Sequence, residues 1–212
     1  MEIVNPLAEK YSELYSTAPD EMLHEVERLT NETHAHAHML SGSLQGKFLE
    51  MICLMIQPEK VLEIGTFTGY SALSLLKGMP FDGILHTIEI REQDAQKAMD
   101  FFKKANVDNR IRLHLGNAID IIPQLQESWD LIFIDADKVS YIEYYELTLP
   151  RLKSGGWMLV DNVLFHGQVL EDKVSGKNAL AIDAFNKHVA ADQRVEQLLL
   201  TIRDGLMLIR KR

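Results

Sequence analysis

The stretch "LIFIDADKVSYIEYY", Leu131 to Tyr145, stays apolar to Ile134 and then turns charged at Asp135, Asp137 and Lys138. A second apolar run, "WMLV", ends in Asp161-Asn162. Carboxylate and amide oxygens are hard donors that suit Mg2+, an ion that keeps positions open for water or substrate. Asp135, Asp161 and Asn162 are therefore a candidate metal set, with Mn2+ and Ca2+ as alternatives. No His/Cys set competes for zinc. Two carboxylates would leave such an ion close to neutral and able to chelate an anionic substrate; the adjacent oxygens of a catechol fit. Lys138, three residues after Asp135, is the candidate base. A dication beside it should lower its pKa, and the neutral amine could then accept a phenolic proton. Asp137 reads either as part of this site or as the N-cap of the next helix.

These residues need a scaffold that brings strand ends together. From Lys60 onward short apolar runs, "KVLEI", "ILHTIEI", "IRLHL", "DLIFI" and "WMLV", alternate with helical segments. That alternation predicts a parallel sheet with helices on both faces. "RVEQLLLTI" and "GLMLIRK", joined at Arg203-Asp204-Gly205, predict a closing antiparallel hairpin. Residues 2–57 read as helices only, with Asp20 as an N-cap and Leu44, Phe48, Met51, Ile52 and Met55 as one apolar face. In open α/β sheets ligands bind beyond the carboxyl ends of the strands. Five successive strands here end in polar residues or glycine, which predicts a site.

The first of these ends, "LEIGTFTGYS", has Gly65 and Gly69 but carries Phe67 and Tyr70 where a dinucleotide fingerprint needs glycines. The turn lacks the pyrophosphate device and also the Lys-Ser/Thr of a P-loop. Glu89, at the end of the next strand, can accept both hydroxyls of a ribose. A ribose acid without a pyrophosphate loop suggests an adenosine ligand free of phosphates, with S-adenosylmethionine the foremost candidate. Glu63, inside a buried strand, needs a partner: the ammonium of that ligand, or a structural Lys or Arg. With the methyl donor present, the phenolate would attack the sulfonium methyl, and much of the protein's task is alignment.

The bulk numbers set limits. The chain has 212 residues, enough for one domain, 1–212, in which 1–57 forms a helical cap. Lys plus Arg is 22 against 31 Asp plus Glu, a net charge of −9 that argues against nucleic acid as partner. No uninterrupted apolar stretch suits a membrane span, and the N-terminus shows no signal pattern. The single cysteine, Cys53, lies among apolar residues; it reads as a core packer, and a cytoplasmic location fits.

Together "VLEIGTFTGYSAL", "FIDADK" and "LVDNVLFHG" resemble the class I metal-dependent O-methyltransferases of the caffeoyl-CoA and catechol type. The resemblance implies a Rossmann-like seven-stranded, mostly parallel sheet with the last strand antiparallel. It implies cofactor contacts at Met39, Ser41, Glu63, Gly65, Thr66, Ser71, Glu89, Asn117, Ala118 and Asp135, metal ligands at Asp135, Asp161 and Asn162, and catalytic roles for Lys138 and Asp135. It also implies a homodimer assisted by the N-terminal helices. Asn117 stands where many relatives carry an acid, Ala136 is small where animal catechol enzymes are bulky, and Phe165 replaces a frequent Trp. The expected reaction is Mg2+-dependent methylation of a small catechol-type phenol. The alternatives are a caffeoyl-CoA-type thioester substrate and a non-catalytic adenosine-binding module; Phe67 and Tyr70 disfavour a nicotinamide oxidoreductase. His34, His36 and His38 read as a solvated helix face, with a metal shared by His34 and His38 as the other reading. Tyr141, Tyr144 and Tyr145 read as core or dimer contacts.

Overall fold

The computed structural model describes residues 3–212, so Glu2, the first residue read as helical, lies outside the described part. After α1 (Pro6–Leu14), the unit Lys10–Ala118 contains α2 (Glu21–Thr33), α3 (Gly42–Ile56), β1 (Lys60–Ile64), α4 (Tyr70–Gly78), β2 (Ile84–Glu89), α5 (Glu92–Lys104) and β3 (Ile111–Leu115). Its strands pair in parallel, β1 on β2 and β2 on β3, with Glu63 opposite Thr87. Asp20 caps α2 as expected, accepting the Leu23 N–H at 3.0 Å.

A second compact unit spans Ile119–Arg212 together with the first residues of the chain. After the short α6 (Ala118–Ile121) come β4 (Trp129–Ile134), α7 (Tyr141–Thr148), β5 (Leu152–Asp161), α8 (Lys177–Ala191), β6 (Val195–Leu200) and β7 (Leu206–Lys211). β4 and β5 are parallel, and β7 is antiparallel to both β5 and β6. The strand order is β3-β2-β1-β4-β5-β7-β6, a seven-stranded sheet that is parallel apart from the last strand.

The alternation of runs located every strand, but β5 extends back to Leu152, through Gly155 and Gly156, which broke its apolar pattern. The inward face of α3 differs from the expectation. Its buried residues are Gln45, Gly46, Leu49 and Cys53, while Met51 and Met55 are exposed. The reason is close helix packing. A Cβ on Gly46 would stand 2.7 Å from the Tyr70 ring, and one on Gly78 would overlap the Glu50 carbonyl oxygen. Small residues let α3 and α4 approach, and a hydrophobic period gives small residues little weight. The segment Ala37–Ile56 is long and apolar enough to cross a membrane by length and composition. Lys47 and Glu50, ion-paired at 2.7 Å, interrupt it, and its glycine face packs on α4.

Candidate active site

Within Lys10–Ala118 the candidates Glu63, Gly65, Thr66, Ser71 and Glu89 lie in the β1–α4 turn, directly follow it or are bonded to it. Glu63 is fully buried on β1, and the opposing Thr87 hydroxyl donates to its Oε2. Thr66 Oγ1 lies 2.5 Å from Thr87 Oγ1. Because the Thr87 proton goes to Glu63, Thr66 must donate to Thr87, and one directed chain orders the group. Gly65 and Thr66 donate their N–H groups to the Ile88 carbonyl at 3.0 and 3.2 Å. Gly69 has φ +88°, and a side chain there would strike Phe102 at 2.6 Å, so the turn needs glycine at this point. Ser71, buried in the first turn of α4, follows it.

Glu89 is 4% exposed and heavily bonded. Its Oε2 accepts the Phe67 N–H at 2.7 Å; its Oε1 accepts those of Ile90 and Arg91 at 3.0 and 2.9 Å. Phe67 adopts φ +50°, a left-handed conformation costing a bulky residue about 1–3 kcal/mol. The Glu89 bond holds it there. The Phe67 ring also stands nearly perpendicular to His34 at a centroid distance of 4.6 Å, and the Arg91 guanidinium lies over it at 5.4 Å. Met39 sits in a 3-10 turn at 39% exposure, and Ser41 is buried just before α3. Asn117 is exposed after β3, and Ala118 is buried at the start of α6.

Neither reading of the histidines holds for His34. Helix α2 ends at Thr33, and His34 is its C-cap. Its Nδ1 accepts the His36 N–H at 3.0 Å, so Nε2 carries the proton and donates to Asp94 Oδ1 at 2.8 Å. Both ring nitrogens are committed, which leaves none for a metal.

The oxygen set lies in the Ile119–Arg212 unit. Ile134 pairs with Val160, so Asp135 and Asp161 each follow by one residue at the carboxyl ends of adjacent parallel strands. Asp161 is buried, and its Oδ1 accepts the Asn162 N–H at 2.8 Å. Asn162 has φ +59°, a region that asparagine enters more readily than most residues. Lys138 Nζ donates to Asp135 Oδ1 at 2.9 Å and to the Tyr141 hydroxyl at 2.7 Å; that hydroxyl donates to the Asp161 carbonyl at 3.1 Å. The lowered pKa expected of Lys138 presupposes a cation beside it; with Asp135 and Tyr141 as its partners the direction is the opposite. Burial alone would push its pKa down, but the Asp135 charge and the Tyr141 hydroxyl outweigh it and raise the pKa. Tyr141 is completely buried, and burial raises its own pKa against the pull of Lys138. Asp137 accepts from Ser140 Oγ at 2.6 Å and from the Tyr144 hydroxyl, so it anchors the start of α7. Tyr141, Tyr144 and Tyr145 are all core residues.

A family profile described as "O-methyltransferase" matches residues 13–212. The chain belongs to the O-methyltransferase family. This O-methyltransferase is 35% identical over 193 residues to a "Probable caffeoyl-CoA O-methyltransferase 2" of Dictyostelium discoideum, covering 88% of this chain and 84% of that protein. It is 34% identical over 160 residues to a "Catechol O-methyltransferase" of Niastella koreensis, covering 74% and 72%. The crystal structure of the SAH-bound methyltransferase PaMTH1 of Podospora anserina superposes with a TM-score of 0.91 at 29% identity, covering 97% and 94%.

Several residues that shape this O-methyltransferase escaped the sequence reading. Thr87 could have been found: it is a polar residue on a strand expected to be buried on both faces, alternating with Glu89. Thr30, whose hydroxyl donates to Thr68 Oγ1 at 3.0 Å and ties α2 to the glycine turn, carries no such signal. Nor did Asp204, which reads as a turn former. Among the described residues no cluster of three or more His, Cys, Asp or Glu side chains forms a metal site. The candidate set is two carboxylates and one amide oxygen, and this chemistry fits a hard divalent cation.

Proposed function

We propose that this S-adenosylmethionine-dependent O-methyltransferase methylates a hydroxyl of a small catechol-type phenol, with Mg2+ as its metal. Asp135, Asp161 and Asn162 would hold the ion. The observation that carries the reading is the pairing of Asp135 and Asp161 on adjacent strand ends, with Lys138 bonded to the first. A cation there would draw off the Asp135 charge that now keeps Lys138 protonated, and would acidify a bound phenol. Lys138 Nζ then accepts the phenolic proton. Tyr141 keeps that nitrogen in place by bridging it to the Asp161 carbonyl. In the other unit, Glu89 would accept the ribose hydroxyls through the lone pairs its backbone partners leave, and Glu63 would face the ligand's ammonium.

A coenzyme A thioester would bring phosphates that call for a cluster of cations, and in the two basic clusters of the sequence most of the cations have carboxylate or carbonyl partners. Lys104 is held by Glu25 at 2.6 Å, and Arg210 and Arg212 both stand 3.8 Å from Glu196. Methyl transfer to protocatechuate, caffeate and caffeoyl-CoA, each with and without EDTA, tests this. Activity on the free catechols that EDTA abolishes and Mg2+ restores is expected. Turnover indifferent to EDTA removes the metal, and activity confined to caffeoyl-CoA replaces the substrate.

The homodimer belongs to the same proposal, as does a reducing cytoplasmic setting for the lone buried thiol of Cys53. α1 buries none of its residues, and Leu7, Tyr11, Leu14 and Tyr15 recur on one face at 63–77% exposure. Light scattering on Tyr11→Glu/Leu14→Glu is expected to give half the wild-type mass. An unchanged mass takes α1 out of the interface.

A further inference from the structure

Asp204 sits in the β6–β7 turn, and its bonds run to the segment that follows β5. Its backbone carbonyl accepts the Leu164 N–H at 2.9 Å, its Oδ1 accepts the His166 N–H, and its Oδ2 accepts Asn162 Nδ2 at 3.3 Å. The turn is docked tightly there: Gly205 has φ +85°, and a Cβ on it would meet Leu164 at 2.5 Å. The Asp204 side chain is only 14% exposed.

We infer that Asp204 is a positioning residue that selects which end of the Asn162 amide is offered to the divalent cation; this rests on the metal reading above. A carboxylate only accepts hydrogen bonds. Against Asp204 the amide must therefore present its NH2 group, and Oδ1 turns the other way. A flipped amide would set two oxygens against each other and offer the metal an NH2 group, which is no ligand. Only Oδ1 can bind a hard cation. The left-handed backbone of Asn162 brings the side chain out of the strand, and Asp204 fixes its rotation. The hairpin, which supplies none of the metal ligands, thus sets the chemistry of one.

The test is Mn2+ binding, followed by the electron paramagnetic resonance of the free ion, with SAH affinity measured alongside. Asp204→Ala removes the acceptor, and Asp204→Asn, whose single oxygen keeps the His166 N–H, sets an NH2 against Asn162; each should weaken Mn2+ binding by about 10–100-fold, the usual effect of losing a partner that orients a ligand, and leave SAH affinity within about twofold. The double variant Asn162→Asp/Asp204→Asn should bind Mn2+ more tightly than Asn162→Asp alone, in which two carboxylates face each other, and regain most of the affinity. In it the amide introduced in the hairpin gives its NH2 to one oxygen of the carboxylate introduced after β5, and the other oxygen is free for the metal. A structural brace would lower thermal stability in both single Asp204 variants without this reciprocity. Mn2+ affinity in Asp204→Asn equal to wild type, or a double variant as weak as Asp204→Asn or Asn162→Asp alone, overturns the inference. Wild-type protein that binds no Mn2+ overturns the metal reading and this inference with it. Should Asp204→Ala fail to fold, the isosteric Asn variants decide alone.

Discussion

Glu89 and Asp135 both stand at the carboxyl end of a parallel strand, and they are held differently. Glu89 takes three backbone N–H groups, from Phe67, Ile90 and Arg91. Asp135 takes the ammonium of a lysine side chain. Backbone amides cannot leave without unfolding a turn, so the region proposed to hold the nucleoside is fixed by the fold itself. A lysine tip can move and can lose its proton, so the reaction region is held by a contact that a cation would replace. In the proposed mechanism binding geometry rests chiefly on the backbone, with Arg91 Nε a longer side-chain contact to Glu89 at 3.4 Å, and reactivity rests on side chains.

Lys138→Ala breaks this contrast most sharply. Loss of a general base costs about 100–10,000-fold in rate, and kcat should fall in that range at neutral pH while SAH affinity stays within twofold. Lys138→Arg should not recover the rate, because a guanidinium stays charged and cannot accept the proton. Turnover near wild type in Lys138→Ala removes the lysine from the mechanism.

Glu89→Gln is the converse. One of the two acceptor oxygens becomes an NH2 group facing donors, and the ribose loses a charged partner. Hydrogen bonds to charged groups contribute about 1.5–3 kcal/mol, so SAH affinity measured by calorimetry should drop by roughly 10–100-fold. Mn2+ binding should hardly change. A variant that loses both together would show that the two regions are energetically coupled, contrary to the division drawn here.

Most of the frame was legible because burial and periodicity are local properties. "KVLEI" and "IRLHL" coincide with β1 and β3 to the residue, and the D-x-x-K and D-N spacings marked residues that the structure places at the ends of β4 and β5. What stayed hidden depends on partners distant in the chain. The capacity of Gly46 and Gly78 to bring two helices into contact does not register as hydrophobicity. His34 looked solvated because Asp94, its partner, lies 60 residues away. The bond from Lys138 to the Tyr141 hydroxyl, three residues on, was not visible in the spacing that pointed to Asp135. Asp204 was hidden by its ordinary place in a turn.

The smallest effect sharpens the account of Glu89 by a counterexample in the same unit. Cys53 is also fully buried, but burial alone governs it, pushing its thiol up to about 12 from 9.0. The native chain therefore keeps the thiol proton at pH values where the unfolded chain gives it up. Between about pH 9 and 12 the folded state binds more protons than the unfolded one, so this group's contribution to stability falls as pH rises there, by at most about 1.4 kcal/mol per pH unit. Below pH 9 the contribution is fully present. At pH 8 a thiol reagent should react with Cys53 at a rate set by opening of the native state, and unfolding in denaturant should release one equivalent at once. Rapid labelling of the native protein would mean that α3 and α4 separate readily, and the close packing at Gly46 and Gly78 would then not keep solvent from the thiol. Slow labelling would show what burial does to an ionisable group that lacks the amide donors which keep Glu89 in place.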